Sequence, residues 1–343
     1  MFARVRRLLR FVLASSLHYS GGFRVWDFLR RRVLRRSDIC VLGFHRILSE
    51  EEYLLSDSLG GIVLRETTFA RILEYLAQHF HVVPLEAFLG GKLGRTGASK
   101  PYCILTFDDG WRDNFTTACP WLKKLHMPAT IFLITGLVGT QNAFWVERLK
   151  KAWKDSATRE RIQAHLRAEV EQSGQHANVD GVVEHLKHMP SASRQSFLNR
   201  VLPAGLDVDG QAEVDRMLTW EQVITMSRDG IEFGAHTVSH PLLPYESDAD
   251  IRYELDVAKQ CLEEKLGSKT EAFAYPNGTW DDRVRLHVKE AGYKCAFTTR
   301  RGWYRQGADL YTIPRVLLHE GNVTGARGEF SPAIFAFALA RAE

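Results

Sequence analysis

Short apolar runs that alternate with amphipathic stretches constrain this chain more than any other feature. DICVLGF (38–44), HVV (81–83), PYCILTF (101–107), PATIFLITG (128–136), IEFGA (231–235), EAFA (271–274), KCAFTT (294–299) and the run within YTIPRVLLHE (311–320) read as short buried strands. Helical patterns stand between them. TTFARILEYLAQHF (67–80) places Phe69, Ile72, Leu73 and Leu76 on one face, and NFTTACPWLKKLH (114–126) and DDRVRLHVKEAG (281–292) are further helices. LTWEQVITMSRDG predicts a helix opening at Thr219, with Glu221 and Gln222 in its first turn. SDADIRYELDVAKQCLEEKLG predicts a long one, with Ser247 as cap and Gly267 as stop. Such alternation belongs to a parallel sheet with helical crossovers, and its regularity predicts an α/β chain folded as a (β/α) barrel, whole or incomplete. Chemistry in that fold gathers at the C-terminal ends of the strands.

The pattern changes between about 142 and 216, where strand signals stop and stretches such as FWVERLKKAWKDSATRERIQAHLRAEVEQ look helical. A helical insertion lying near the site as a cap is expected there. The organisation expected is an N-terminal segment, 1–36, and a barrel, 37–343, that carries the insertion.

Residues 1–36 hold ten arginines and one aspartate, a local balance of +9 in a chain whose total is +4, so the remainder carries −5. Phe2, Val5, Leu8, Leu9, Val12 and Leu13 recur at helical spacing among Arg4, Arg6, Arg7 and Arg10, and a second apolar cluster surrounds Trp26. No apolar run approaches the ~20 residues that cross a bilayer. The apolar core FVLASSL is short for a signal peptide and more arginines follow, so cleavage is not the preferred reading. Two readings stand side by side. The segment either lies on an anionic membrane surface, each basic residue there contributing about 1 kcal/mol, or packs as a helix on its own domain. No nucleic-acid partner is expected, because no recognised motif accompanies the basic stripe. The five cysteines (Cys40, Cys103, Cys119, Cys261, Cys295) are scattered and form no CxxC pair, so neither a disulfide framework nor a thiolate zinc site is signalled, and their apolar settings favour a reducing compartment. The expected location is cytoplasmic or peripheral on the cytoplasmic membrane, with an exported form left open. Nothing in the sequence sets the oligomeric state.

Three strand ends carry chemistry. PYCILTF runs into Asp108 and Asp109, IEFGA runs into HTVSH with His236 and His240, and EAFA runs into YPNG. Two histidines four apart aim at one ion if the loop turns between them. With one aspartate they make a three-ligand site that keeps a position open for water, as a catalytic divalent metal such as zinc requires. The second aspartate is then available to take a proton from water.

TFDDG, HTVSH and AYPNG, in this order and at these spacings, resemble the polysaccharide deacetylase family, carbohydrate esterase family 4, over roughly Ile39 to Glu320. The resemblance implies a distorted (β/α) barrel and a metal-dependent removal of N-acetyl groups from an amino sugar in a polysaccharide or lipid-linked glycan. It implies Asp108 as general base and Asp109, His236 and His240 as ligands of a divalent metal, zinc first. The backbone N–H of Asn277 is implied at the oxyanion, with Tyr275 and Pro276 beside the substrate. Many members carry an arginine two residues before the motif's proline, paired with the base. Here that position is Ala274, and Arg315 in IPRV is the candidate replacement. A late LxH pattern makes His319 the candidate general acid, with His45 in GFHRI as its rival and a site neighbour. Phe144, Trp145 and Trp153 of the insertion either line a sugar cleft or, more commonly for such residues, belong to a core. Alternative functions are a deformylase or O-deacetylase on a lipid-linked sugar, and a non-catalytic carbohydrate-binding relative. The retention of Asp108 speaks against the last.

Overall fold

A computed structural model describes residues 14–16, 20, 21, 38–56, 58, 60–93, 100–140, 144–172, 178–203, 213–325 and 327–340. Phe2, Val5, Leu8, Leu9, Val12, Leu13 and Trp26, on which the amphipathic reading of the N-terminal segment rests, lie outside them.

Ten strands are found among the described residues: β1 (Cys40–Phe44), β2 (Arg46–Leu48), β3 (Val63–Arg65), β4 (His81–Val82), β5 (Tyr102–Phe107), β6 (Thr130–Leu133), β7 (Glu232–Ala235), β8 (Ala272–Ala274), β9 (Cys295–Phe297) and β10 (Val316–Leu317). β2 and β3 pair with each other, and the rest form one sheet in the order β10-β1-β5-β6-β7-β8-β9, with β4 on the lower part of β5. Every pairing is parallel. A single parallel bridge, Phe297 with Ile313, joins β9 to the chain entering β10. The sheet thus curls back on itself, and the architecture is a distorted (β/α) barrel, as expected.

The strands read as unbroken apolar runs because both faces are covered. Leu42, Phe44, Leu105, Phe107, Ile131 and Leu133 face the surrounding helices, where they meet Phe69, Ile72, Leu73 and Leu76 of the helix Glu66–His79. Val41, Ile104, Phe132, Ala274, Cys295 and Phe297 alternate with them and fill the barrel interior. The long helix Asp248–Leu266 begins on Ser247, whose side chain accepts from the Asp250 N–H, and stops at Gly267 with φ 66°. Thr219 and Gln222 form a capping box at the helix Trp220–Arg228.

The insertion contains the helices Trp145–Trp153, Ser156–Gln172, Val179–Lys187 and Ser191–Val201. It has its own apolar core, into which Phe144, Trp145, Leu149, Leu186 and Phe197 are buried and against which Trp153 is partly buried. Phe144 and Trp145 therefore follow the core reading. Trp111, Ile134 and Met217 join that core to the barrel rim.

Candidate active site

β5 delivers the two aspartates at its C-terminal end, and the turn that follows separates their directions. Asp109 has φ 74° and Gly110 φ 83°. That left-handed φ favours glycine at 110, where a Cβ would also press on Leu133 Cδ2 at 2.5 Å. Asp109, Thr237 (φ 69°), His240 (φ 60°) and Asn277 (φ 55°) all hold left-handed backbone, which concentrates local strain in the three motifs.

Asp109 Oδ1 lies 3.5 Å from His236 Nε2 and 3.6 Å from His240 Nε2. Two ligand atoms about 2.0–2.2 Å from one ion at a tetrahedral angle stand roughly 3.4 Å apart, so these separations fit a shared ion. Taken one from each residue, the three ligand atoms lie within 4.8 Å of one another. The surrounding bonds point the ligands inward. His236 Nδ1 lies 2.7 Å from the Ala274 carbonyl, and as donor to it leaves the Nε2 lone pair facing Asp109. Trp111 Nε1 donates to Asp109 Oδ2 at 3.0 Å and leaves Oδ1 for the histidines. Burial first, then the nearby charges of His236, Arg194 and Lys187, hold His240 well below the usual imidazole range, in the neutral form that can ligate. The ring of Phe144 meets His240 edge-on at 5.1 Å.

Asp108 turns the other way, into the mouth of the barrel. Arg315, fully buried, grips it with both ends of its fork: Nη1 to Oδ1 at 2.8 Å and Nη2 to Oδ2 at 2.7 Å. Nη1 also reaches Thr106 Oγ1 at 3.1 Å, and Nε donates to the Thr298 carbonyl at 3.0 Å. The guanidinium rests above the rings of Phe132 and Phe297. Burial by itself pushes the Asp108 carboxyl up. The Arg315 charge, followed by His236, the Arg315 hydrogen bonds and His45, outweighs it and holds the group well below the ordinary carboxylate range. The geometry thus pairs Arg315 with Asp108.

His45 Nε2 is 3.8 Å from Asp108 Oδ2. His319 follows the end of β10, where the Leu318 N–H donates to the Gly43 carbonyl, so its strand end stands beside that of His45. Asn277 is exposed at the rim, its carbonyl accepting from Thr299 Oγ1 at 3.0 Å. Tyr275 and Pro276 lie at the end of β8, ahead of Asn277. Both are buried, and Tyr275 donates its hydroxyl to the Tyr311 carbonyl at 3.0 Å, so its ring packs beneath the motif.

Sequence reasoning missed the groups that hold the site in shape. Trp111, two positions after Asp109, was within reach of a turn argument. Glu254 was not. From the helix Asp248–Leu266 it accepts from the Val238 N–H at 2.7 Å, the Ser239 N–H at 2.9 Å and Ser239 Oγ at 2.6 Å, and so fixes the loop between the two histidines.

A family model described as polysaccharide deacetylase matches residues 95–296. Among curated proteins, YxkH of Bacillus subtilis (strain 168), assigned to the same group, is 22% identical over 232 residues. That alignment covers 68% of this chain and 57% of the relative, so the chain spans little more than half the relative's length. Among solved structures, the Streptococcus pyogenes deacetylase PplD in complex with acetate superposes with TM-score 0.56 at 20% identity, over 87% of this chain and all of that one. A de-N-acetylase from Aggregatibacter actinomycetemcomitans superposes with TM-score 0.54 at 15% identity, over 88% and 99% of the two chains. These likenesses show a shared fold.

Proposed function

The chain belongs to the polysaccharide deacetylase family, and on that premise we propose that it is a metal-dependent hydrolase removing N-acetyl groups from an amino sugar of a polysaccharide or lipid-linked glycan. The observation that carries this reading is the Asp109–His236–His240 cluster next to an Asp108 carboxylate clamped by Arg315. The three ligands would hold a divalent ion, zinc in preference given two imidazoles and one carboxylate. When bound, such an ion polarises an acyl carbonyl and makes water more acidic.

The remaining chemistry lies with the chain. Asp108, ionised and fixed in direction by the guanidinium fork, takes the proton of the attacking water. Asn277 offers its backbone N–H to the oxygen that gains charge at the acyl carbon. His319 gives a proton to the departing amine. His45, 3.8 Å from Asp108 Oδ2, is the alternative donor of that proton. The neighbours described as a deacetylase with acetate and as a de-N-acetylase favour an N-acetyl substrate.

The test is mass spectrometry of products after the zinc-loaded protein is incubated with N-acetylglucosamine oligomers and with lipid-linked acylated sugars. Acetate together with free amine is expected. Release of formate, or of acetate from O-acetyl positions alone, would select the deformylase or O-deacetylase alternative. Absence of any hydrolysis by a metal-loaded protein would leave a carbohydrate-binding role.

A further inference from the structure

Arg46 is fully buried, yet the chemistry above does not use it. Its Nε donates to Asp113 Oδ2 at 3.0 Å, its Nη1 to Asp215 Oδ1 and Ser58 Oγ at 2.6 Å each, and its Nη2 to the Val214 carbonyl. The guanidinium carbon lies 4.3 Å from the centre of the Trp111 ring. Trp111, itself fully buried, is the residue that donates to Asp109 Oδ2. Val214 and Asp215 belong to the segment by which the insertion returns to the barrel. The same segment is tied to the Asp109 turn by backbone. Trp111 bridges Met217, the Arg112 N–H donates to the Arg216 carbonyl at 2.9 Å, and the Leu218 N–H donates to the Gly110 carbonyl at 2.9 Å.

We propose that Trp111 is a positioning residue for Asp109, and that Arg46 locks Trp111 while clamping the insertion's return segment, so that metal affinity depends on the docked insertion. This deepens the metal-binding reading and rests on it. A carboxylate offers two oxygens, and the indole N–H occupies one, which decides that the other faces both histidines. The indole can tilt only if the cation stacked on it moves, and that cation is pinned by two carboxylates in a buried setting. Displacing it would leave buried charge uncompensated. Hydrogen-bond partners of this kind orient metal ligands, and their removal typically lowers metal affinity about 10–100-fold.

The experiment is titration of the full chain with zinc, and with cobalt followed by its absorption spectrum, alongside the melting temperature of the metal-free protein. Trp111→Phe keeps a ring for Arg46 to stack on but removes the N–H. It is expected to bind about 10–100-fold more weakly and to alter the cobalt spectrum. Arg46→Lys keeps the charge without the planar fork and should shift affinity in the same direction. The double variant should bind no more weakly than Trp111→Phe alone, because Arg46 acts through the indole. If Trp111→Phe does not fold, Arg46→Lys and Asp215→Asn carry the measurement, with the same direction of loss expected. Wild-type affinity in the folded variants, even with a lowered melting temperature, overturns the inference and leaves Arg46 a purely structural ion pair. Additive losses in the double variant overturn it too. A wild-type protein that takes up no metal overturns both this inference and the metal-binding reading, whereas metal uptake unaltered in the variants removes this one alone.

Discussion

At the scale of single residues, the pairing of Asp108 with Arg315 makes the firmest predictions. Burial favours the neutral acid, and the guanidinium reverses that preference. A carboxyl held low in the folded state contributes stability that is fully present above its unfolded value, near 3.9, and is lost as pH falls through the lower folded value. The wild-type pair should therefore be intact from neutral pH down to about pH 4. Arg315→Gln leaves burial unopposed by the fork, so the Asp108 carboxyl rises. The acid limb of kcat/KM should move to higher pH, and chemical denaturation at pH 7 should show a loss of about 3–5 kcal/mol, as for other broken buried pairs. An acid limb that stays in place would detach Arg315 from the base. Asp108→Asn keeps the shape but takes no proton. Turnover should fall about 10²–10⁴-fold, while zinc binding measured by titration stays largely intact. Loss of zinc in that variant would mean that Asp108 is a ligand as well.

Among the secondary-structure elements, what was legible in the sequence follows from what the physics makes local. Short apolar runs bounded by turn or polar residues located β1, β5, β6, β7, β8 and β9, and the caps at Thr219 and Ser247 were visible because each cap and its target lie within three residues. β2 and β3 were not anticipated. They are three residues long and stabilised by each other across an intervening helix. PAIFAFALA (332–340) folds as a helix, yet an apolar run without polar positions has no period by which a helix can be told from a strand. At the site, the side chains that cluster at the strand ends, Asp108, Asp109, His236 and His240, stand in motifs readable in the sequence, and the gap at Ala274 directed attention to Arg315, which pairs with Asp108. Glu254 and Arg46 were not readable there, since each acts on residues brought near only by the fold. Glu254 gives an element-scale prediction. One carboxylate holds two backbone N–H groups and a hydroxyl of the histidine loop. Glu254→Leu takes away the acceptor that these partly exposed donors share, so the loop loses its tie to the helix. Hydrogen exchange should show residues 236–240 opening more readily, with zinc affinity reduced. Unchanged protection of Val238 and Ser239 would mean that the loop holds itself.

For the molecule as a whole, the question is where the basic N-terminal segment goes. Among the described residues no helix is long and apolar enough to cross a membrane. Ala14 is fully buried in a cluster with Ala333 and Ile334 of the C-terminal helix Pro332–Ala340. That contact makes truncation an ambiguous test, because removing residues 1–36 would also take Ala14 away from Ala333 and Ile334. Membrane attachment is better tested by charge. The segment's balance of +9 is expected to hold the protein on anionic lipid, and replacing Arg4, Arg6, Arg7 and Arg10 with glutamine removes four positive charges without removing Ala14 or the apolar residues. Each basic residue near the surface contributes about 1 kcal/mol, so co-sedimentation with anionic vesicles should weaken by at least a hundredfold in the variant. Neutral vesicles should retain little of either protein. Raising the salt should release wild type only in part, because surface charge is screened beyond about 8 Å at physiological ionic strength while apolar burial is not. Equal retention of both proteins on anionic vesicles, or none of either, would leave the segment as a helix packed on the barrel. Selective retention of wild type would instead favour a lipid-linked or membrane-proximal glycan over a free oligomer as the substrate.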